Sequence, residues 1–432
     1  NSSKCINLVV KKNTINTLGK KQMKTAYDAL WARLVFKFLE RLEYGIIEIS
    51  DKHGFYRRFG SISSTPSETE IEPAKILIND WQIFRRIILY GDIAFGETYM
   101  ESLWETPDLN HLLWVIGKNR KSLNAAIRGN RFTNAFNRIR HLLNKNTKKQ
   151  ARQNIEAHYD LGNNFYELWL DPSMTYSSAI QRREDGTKAT DLEEAQHFKI
   201  RRALSQLGPL GDMSKTLEIG CGWGEMSKKR LEKFPGEHVG ITLSHEQKEW
   251  TGKILNTHQL SDRNSTLLKD YRDISGQYDG IISIEMVEAV GKEYWDAFFA
   301  MIKKSLKPNG RAVIQAITIN EALVSNYEAG VDFIQKYIFP GGMLMTKSQF
   351  INLADKHKFD VVNDFAFGDD YAWTLQQWFK NFHANWNGIE SLGFNLRFKK
   401  MWAFYLSYCR SGFLNGDIDV VQYTLAHNSV KN

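Results

Sequence analysis

Across residues 215–319 the chain alternates short apolar runs with longer amphipathic ones. "KTLEIG" reads as a strand and "GEMSKKRLEKF" as a helix; "EHVGITLS" and "HEQKEWTGKILNTHQL" repeat the pair. "STLLKDYRD" holds a short strand, "YDGIISIEMVEAV" a buried strand with its loop, and "EYWDAFFAMIKKSL" a helix, after which "KPNG" turns into the strand "RAVIQAITI". This rhythm predicts a Rossmann-like α/β domain, a mostly parallel sheet with helices on both faces. Ligands of such sheets lie at the carboxyl ends of the strands. The candidate positions are therefore residues 220–224, 242–244, 270–273, 285–291 and 315–318.

The glycines at the first of these ends, Gly220, Gly222 and Gly224, follow a strand and open a helix. Glycines let a backbone turn sharply and approach a ligand closely. A dinucleotide fingerprint would carry a further glycine where Glu225 stands. Glu218, at the strand end, would repel a pyrophosphate. An acidic residue there suits a cationic ligand, and S-adenosylmethionine (SAM) carries both a sulfonium and an ammonium. His238, His245 and His383 show no metal-like spacing with Cys or carboxylates, so no metal is expected.

The rest of the chain divides by composition. Residues 1–24 read as a basic leader, 25–116 as a mixed α+β domain, 117–155 as a basic helix and linker, and 156–432 as the alternating domain. The helix "AYDALWARLVFKFLERL", the strands "YGIIEIS" and "KILIND", and helical pieces around Gly91 and Gly96 belong to the second segment. The formal net charge of +8 is uneven. No Asp or Glu occurs between Asp108 and Glu156, where Lys118, Arg120, Lys121, Arg128, Arg131, Arg138, Arg140, Lys145, Lys148, Lys149 and Arg152 fall. Such a block favours a polyanion, a phospholipid surface or a nucleic acid. Aromatic interleaving is limited to Phe132 and Phe136, and no nucleic-acid motif is present, so an anionic membrane surface is the expected partner and nucleic acid is not. Cys5, Cys221 and Cys409 are few and far apart, which fits a reducing cytosol. No apolar run is long enough to span a bilayer and the polar N-terminus has no signal core. The expectation is a cytoplasmic protein working from the inner face of the membrane.

"LEIGCGWG" resembles the first motif of SAM-dependent methyltransferases. The wider chain resembles the cyclopropane fatty acid synthase family, which includes the mycolic acid cyclopropane synthases. The resemblance is carried by "HYDLGNNFYELWLDPSMTYSSA", "VGITLSHEQ", "DYRD", "EMVEAVG", "IQKYIFPGG" and "YAWTLQQWFKNF", and upstream by "GETYMESLWETPDL". It implies a class I methyltransferase domain with a seven-stranded sheet, a smaller N-terminal lipid-binding or accessory domain, and a homodimer. It also implies SAM contacts at Tyr176, Ser177, Gly220, Gly222, Gly224, Thr242, Leu243, Ser244, Gln247, Tyr271 and Arg272, to which Glu218 is added. His158 and Asp160 lie on the segment leading into that site.

The implied chemistry is methyl transfer to the double bond of an unsaturated phospholipid acyl chain. A double bond is a poor nucleophile, so the pocket must be dry and the reactants close. Aromatic faces can stabilise the resulting carbocation; candidates are Phe333, Tyr337, Phe339, Phe365, Phe367, Tyr371, Trp373, Trp378, Phe379, Phe382 and Trp386. Ring closure needs a base, which the resemblance gives as bicarbonate held by Glu288, Tyr371, Ile317, Ser178 and Gln315. The chain departs from the family where a Cys is replaced by Ser178, a His by Gln315 and a second His by Ala289. Gln315 cannot titrate, which leaves a methyl- or methylene-branched product as the alternative to a cyclopropane. A small-molecule N-methyltransferase is a second alternative.

Overall fold

The structure is a computed structural model that describes residues 26–60, 72–120, 123 and 161–428. The basic leader, most of the basic stretch, and His158 and Asp160 lie outside the described residues. The chain divides into two compact units, residues 1–133 and 134–432.

The first unit pairs helices with a four-stranded sheet in the order β2-β1-β3-β4. Its strands are β1 (Ile47–Asp51), β2 (Tyr56–Phe59), β3 (Ala74–Ile78) and β4 (Trp104–Glu105). β1 runs antiparallel to β2 and parallel to β3. Alternate residues Ile47 and Ile49 point into the core, as period-two burial requires. Phe36, from the helix Ala26–Leu39, meets Phe59 and Phe84 there with ring centroids 5.2 and 5.3 Å away. The helix Gln82–Met100 breaks at Gly91, where φ is 67° and ψ −143°, a conformation open to glycine. Gly96 remains helical, so the expected helical pieces around Gly91 and Gly96 meet at Gly91.

The second unit is a seven-stranded sheet in the order β10-β11-β9-β8-β5-β6-β7. Its strands are β5 (Lys215–Ile219), β6 (Glu237–Thr242), β7 (Asn264–Leu268), β8 (Tyr278–Ile284), β9 (Leu306–Ile319), β10 (Phe359–Ala366) and β11 (Ile418–His427). β5 to β9 are mutually parallel, and β11 pairs antiparallel with both β9 and β10. The "KPNG" stretch departs from its expected role. It is absorbed into β9 as an irregularity, and the β8–β9 register shifts between Tyr278 and Gly280.

The order of strands positions the site. The chain builds outward from β5 to β6 and β7, then returns to β8 on the other side of β5. A crevice opens where this direction reverses, at the carboxyl ends of β5 and β8. Gly220 and Glu285 are the first residues past those two ends. Behind them the helices Leu192–Gln206, Gly368–Ala384 and Leu396–Leu414 carry further side chains that reach this edge. Among the described residues no helix is long and apolar enough to cross a membrane.

Candidate active site

All three glycines of the turn take positive φ: 80° at Gly220, 52° at Gly222 and 92° at Gly224. The three have different reasons for lacking a side chain. A Cβ on Gly220 would come within 2.3 Å of Met286 Cγ, and one on Gly224 within 2.7 Å of Thr251 Cγ2. A Cβ on Gly222 would meet nothing within 4 Å. Gly222 lines a pocket, and its bare backbone leaves room there for a ligand.

Most of the residues expected at the cofactor form the walls of this pocket: Tyr176, Ser177, Glu218, Gly220, Gly222, Gly224, Thr242, Leu243, Gln247 and Tyr271. Ser244 and Arg272 do not. Ser244 caps the helix His245–Thr257, its Oγ accepting from the Gln247 N–H at 3.2 Å. Arg272 folds back onto Asp270 (Nε to Oδ1 2.8 Å, Nη2 to Oδ2 2.7 Å) and lies over the Tyr271 and Tyr294 rings. Glu218 is buried, and its Oε2 accepts from Ser227 Oγ and lies 3.1 Å from His238 Nε2. The walls carry the carboxylates of Glu218, Glu225 and Glu285 against the ammonium groups of Lys199 and Lys269. That acidic excess and the open Gly222 suit a cationic ligand approaching the backbone closely.

The groups assigned to bicarbonate converge on protein carboxylates instead. Glu285 Oε1 accepts from the Ser178 backbone N–H (2.8 Å) and from Gln315 Nε2 (2.7 Å). Glu285 Oε2 accepts from Tyr371 Oη at 2.6 Å. The remaining backbone donor, the Ile317 N–H, is taken by Glu288 Oε1. Ser178, Gln315, Tyr371, Ile317 and Glu288 thus do come together, but the Ser178 N–H, the Gln315 amide, the Tyr371 hydroxyl and the Ile317 N–H are each already engaged by a carboxylate. The residues present do not fit a bound bicarbonate ion.

Glu285 and Lys199 are functional candidates to which the sequence assigned no role. Glu285 has φ of 51°, rare for a non-glycine residue, and its N–H donates to Gln315 O at 2.8 Å. Lys199, on the helix Leu192–Gln206, is 1% exposed, and its Nζ donates to Ser177 Oγ at 2.6 Å. Burial brings the Lys199 ammonium down to about 8, an effect opposed by the charges of Glu285, Asp171 and Glu218. It therefore remains mostly charged at neutral pH.

Burial raises the Glu285 carboxyl above its ordinary value, opposed by Tyr371, Lys199, Ser178 and Gln315. Burial, and then the charge of Glu285, pushes Glu288 up to about 8. Its Oε2 is buried without a hydrogen-bond partner. Burial first, then Glu285, holds the Tyr371 phenol well above its usual range, so it stays a donor.

A second line of side chains fixes the orientation of the Gln315 amide. Gln422, opposite Gln315 in the β9–β11 register, donates from Nε2 to Gln315 Oε1 at 2.9 Å. Gln422 Oε1 accepts from Arg202 Nη1 at 3.0 Å. A guanidinium can only donate. It therefore turns the Gln422 oxygen toward itself, the Gln422 NH₂ toward the Gln315 oxygen, and the Gln315 NH₂ toward Glu285.

The expected aromatic set divides. Trp378 lies 5.3 Å from Tyr176 and 6.2 Å from Tyr371 by ring centroids, and Tyr176 Oη bonds Tyr405 Oη at 2.7 Å. Phe339 lies 6.1 Å from Tyr405. Phe379 packs on His383, Phe382 on Trp386, and Phe333 on Tyr337 and Phe404. Phe365 stacks on Phe367 under the Arg202 guanidinium. Among the described residues no group of three His, Cys, Asp or Glu is placed to hold a metal ion.

The doubly wound sheet and the pocket over its glycine turn define a class I SAM-dependent methyltransferase, with SAM as the methyl donor. The chain belongs to the mycolic acid cyclopropane synthetase family, whose pattern matches residues 146–423. It is 36% identical to the tuberculostearic acid methyltransferase UfaA1 of Mycobacterium tuberculosis over 79% of this chain and 80% of that one. It is 33% identical to the cyclopropane-fatty-acyl-phospholipid synthase of Escherichia coli K12 over 81% and 87%. Among solved structures it is similar to the mycolic acid cyclopropane synthase CmaA1 complexed with SAH and CTAB, with a TM-score of 0.58, 32% identity, and coverage of 63% of this chain and 97% of that one.

Two outcomes are expected at this site. Gly222→Ala places a methyl group in the pocket and should weaken SAM binding, measured by calorimetry, at a stability cost of about 1 kcal/mol for its left-handed backbone. Gly220→Ala must also displace Met286 and should cost about 2–4 kcal/mol in denaturant unfolding. The second outcome concerns Glu288. Its carboxyl titrates higher in the folded chain than unfolded, so its stabilising contribution is complete below about 4.5 and is lost as pH rises toward about 8. The stability difference between wild type and Glu288→Gln should therefore change by about 1.4 kcal/mol per pH unit between roughly pH 5 and 8. A pH-independent difference would show that Glu288 is ionised throughout.

Proposed function

We propose that this chain methylates the double bond of an unsaturated acyl chain in a membrane phospholipid and then closes a cyclopropane ring. The observation that carries the reading is the carboxylate cluster of Glu285 and Glu288, tied to Tyr371, Gln315, Ser178 and Ile317, beside the SAM pocket. Bound in the pocket, SAM supplies an electrophilic methyl group. The π pair of the acyl double bond would form the new carbon–carbon bond as the methyl–sulfur bond breaks and its pair returns to sulfur, releasing the neutral thioether S-adenosylhomocysteine and leaving a cation on the neighbouring acyl carbon. Tyr176, in the pocket wall and backed by the buried Trp378, offers an aromatic ring near such a cation. A proton is then lost from the transferred methyl group, and the freed C–H pair closes the ring. The names of the Escherichia coli and CmaA1 relatives support the cyclopropane product.

A second reading, a methyl-branched chain, is favoured by Gln315 and by the tuberculostearic acid methyltransferase among the relatives. The substrate reading extends to location: the basic stretch between Lys118 and Arg152 would hold the enzyme at anionic headgroups on the inner face of the membrane.

Expression in a host with mono-unsaturated phospholipids should give fatty acids heavier by one methylene, with the upfield ring-proton signal of a cyclopropane in NMR. A branched-methyl signal in its place selects the second reading, and unmodified lipids would overturn both. Purified enzyme should sediment with anionic vesicles at low salt and be released by added salt. Tighter binding to single-stranded oligonucleotides than to vesicles would overturn the membrane assignment.

A further inference from the structure

Three donors from three separate segments point at one side chain that is anchored past the end of β8 and lines the SAM pocket. They are the Ser178 N–H, the Gln315 amide and the Tyr371 hydroxyl, and the side chain is Glu285. We propose that Glu285 is the base of the reaction: a carboxylate built into the chain that receives the methyl proton and makes the enzyme independent of bicarbonate.

The inference rests on the acyl-chain reading above, and three further observations support it. The first is occupancy. The donors that would hold a bicarbonate ion are saturated by Glu285 and Glu288, so a diffusible anion would have to displace a tethered one. The second is strain. Glu285 keeps a carboxylate side chain at φ 51°, a backbone position that favours glycine. Strain of this kind persists only where surrounding contacts impose it, and it gathers at functional sites. The third is orientation. The Arg202–Gln422–Gln315 line commits a donor, not an acceptor, to Glu285. Buried Lys199 adds a positive charge nearby.

The step balances within the site. The C–H bond of the transferred methyl breaks, its electron pair forms the third ring bond to the cationic carbon, and the proton goes to a Glu285 oxygen. One positive and one negative charge vanish together. The Glu285 proton returns to water after product leaves. Burial raises this carboxyl, which makes its anion a stronger base than an exposed glutamate.

The test compares wild type, Glu285→Gln and Glu285→Gly on vesicles of mono-unsaturated phospholipid, in buffer freed of carbon dioxide and bicarbonate. Wild type should turn over at the same rate, within about twofold, with or without added bicarbonate. Glu285→Gln, assayed at saturating SAM, should lose roughly 10²–10⁴-fold in turnover, the usual worth of a general base. It should not respond to bicarbonate, because the amide fills the space. Glu285→Gly relieves the backbone and opens that space, so added bicarbonate should restore turnover. Labelled ¹³C-bicarbonate should show binding by NMR to the Gly variant and none to wild type.

Loss of wild-type turnover on removing bicarbonate, or a Gln variant within threefold of wild type, overturns the proposal. If wild type methylates no acyl chain, the acyl-chain reading fails. The ¹³C measurement still decides what occupies the site: bicarbonate binding to wild type overturns the inference, and binding to the Gly variant alone supports it.

Discussion

A half-buried carboxylate must be given donors, and the catalytic unit is organised around giving them to Glu285. Its partners come from distant parts of the chain: Ser178 ahead of the helix Leu192–Gln206, Gln315 on β9, and Tyr371 on the helix Gly368–Ala384. Leaving such a group buried and unpaired would cost several kcal/mol. The anion therefore ties the loop before the sheet, the centre of the sheet and the C-terminal helices to one point. Nearby contacts hold the same elements in place. Gln196 Nε2 donates to Ser177 O at 2.9 Å, and the Ala179 N–H donates to Thr374 Oγ1 at 3.1 Å.

The amide at position 315 follows from this anion. An imidazole there could take a proton and become a full positive charge against Glu285, which would favour the ionised carboxylate and weaken it as a base. Gln315 donates one hydrogen bond and carries no charge. Its weakness as a ligand is that an amide can point either way, and Arg202 removes that freedom through Gln422. The antiparallel addition of β11 to β9 is what makes this possible, because it sets Gln422 directly opposite Gln315.

Much of the fold was legible because periodicity reports burial. The alternation across residues 215–319 gave the order of strands and helices, and the strand ends gave most of the pocket wall. Ser244 and Arg272 stand outside the pocket wall for a local reason. A strand-end position says nothing about whether a side chain turns to the cleft, caps the next helix or folds back on its neighbour, as these two do. Glu285 fell within a strand-end range, yet the apolar run before it read as a buried strand and gave its carboxylate no partners. Those partners lie 107, 30 and 86 residues away, and only the folded chain brings them together. Lys199 was hidden more deeply, since a lysine inside a charged amphipathic helix reads as a solvated residue until it is found buried.

Two neighbouring carboxylates resist both holding a full charge. The protein resolves the conflict asymmetrically. Glu285 has both oxygens engaged by donors and Lys199 near its charge, all of which favour the anion. Glu288 has one backbone N–H on one oxygen and no hydrogen-bond partner on the other, so burial and the adjacent anion leave it protonated at neutral pH. Negative charge is thus favoured on Glu285 over Glu288, and Glu285 is the one of the two that lines the SAM pocket. A cation developing on a substrate in that pocket would face one fixed counter-charge and one proton acceptor in the same group.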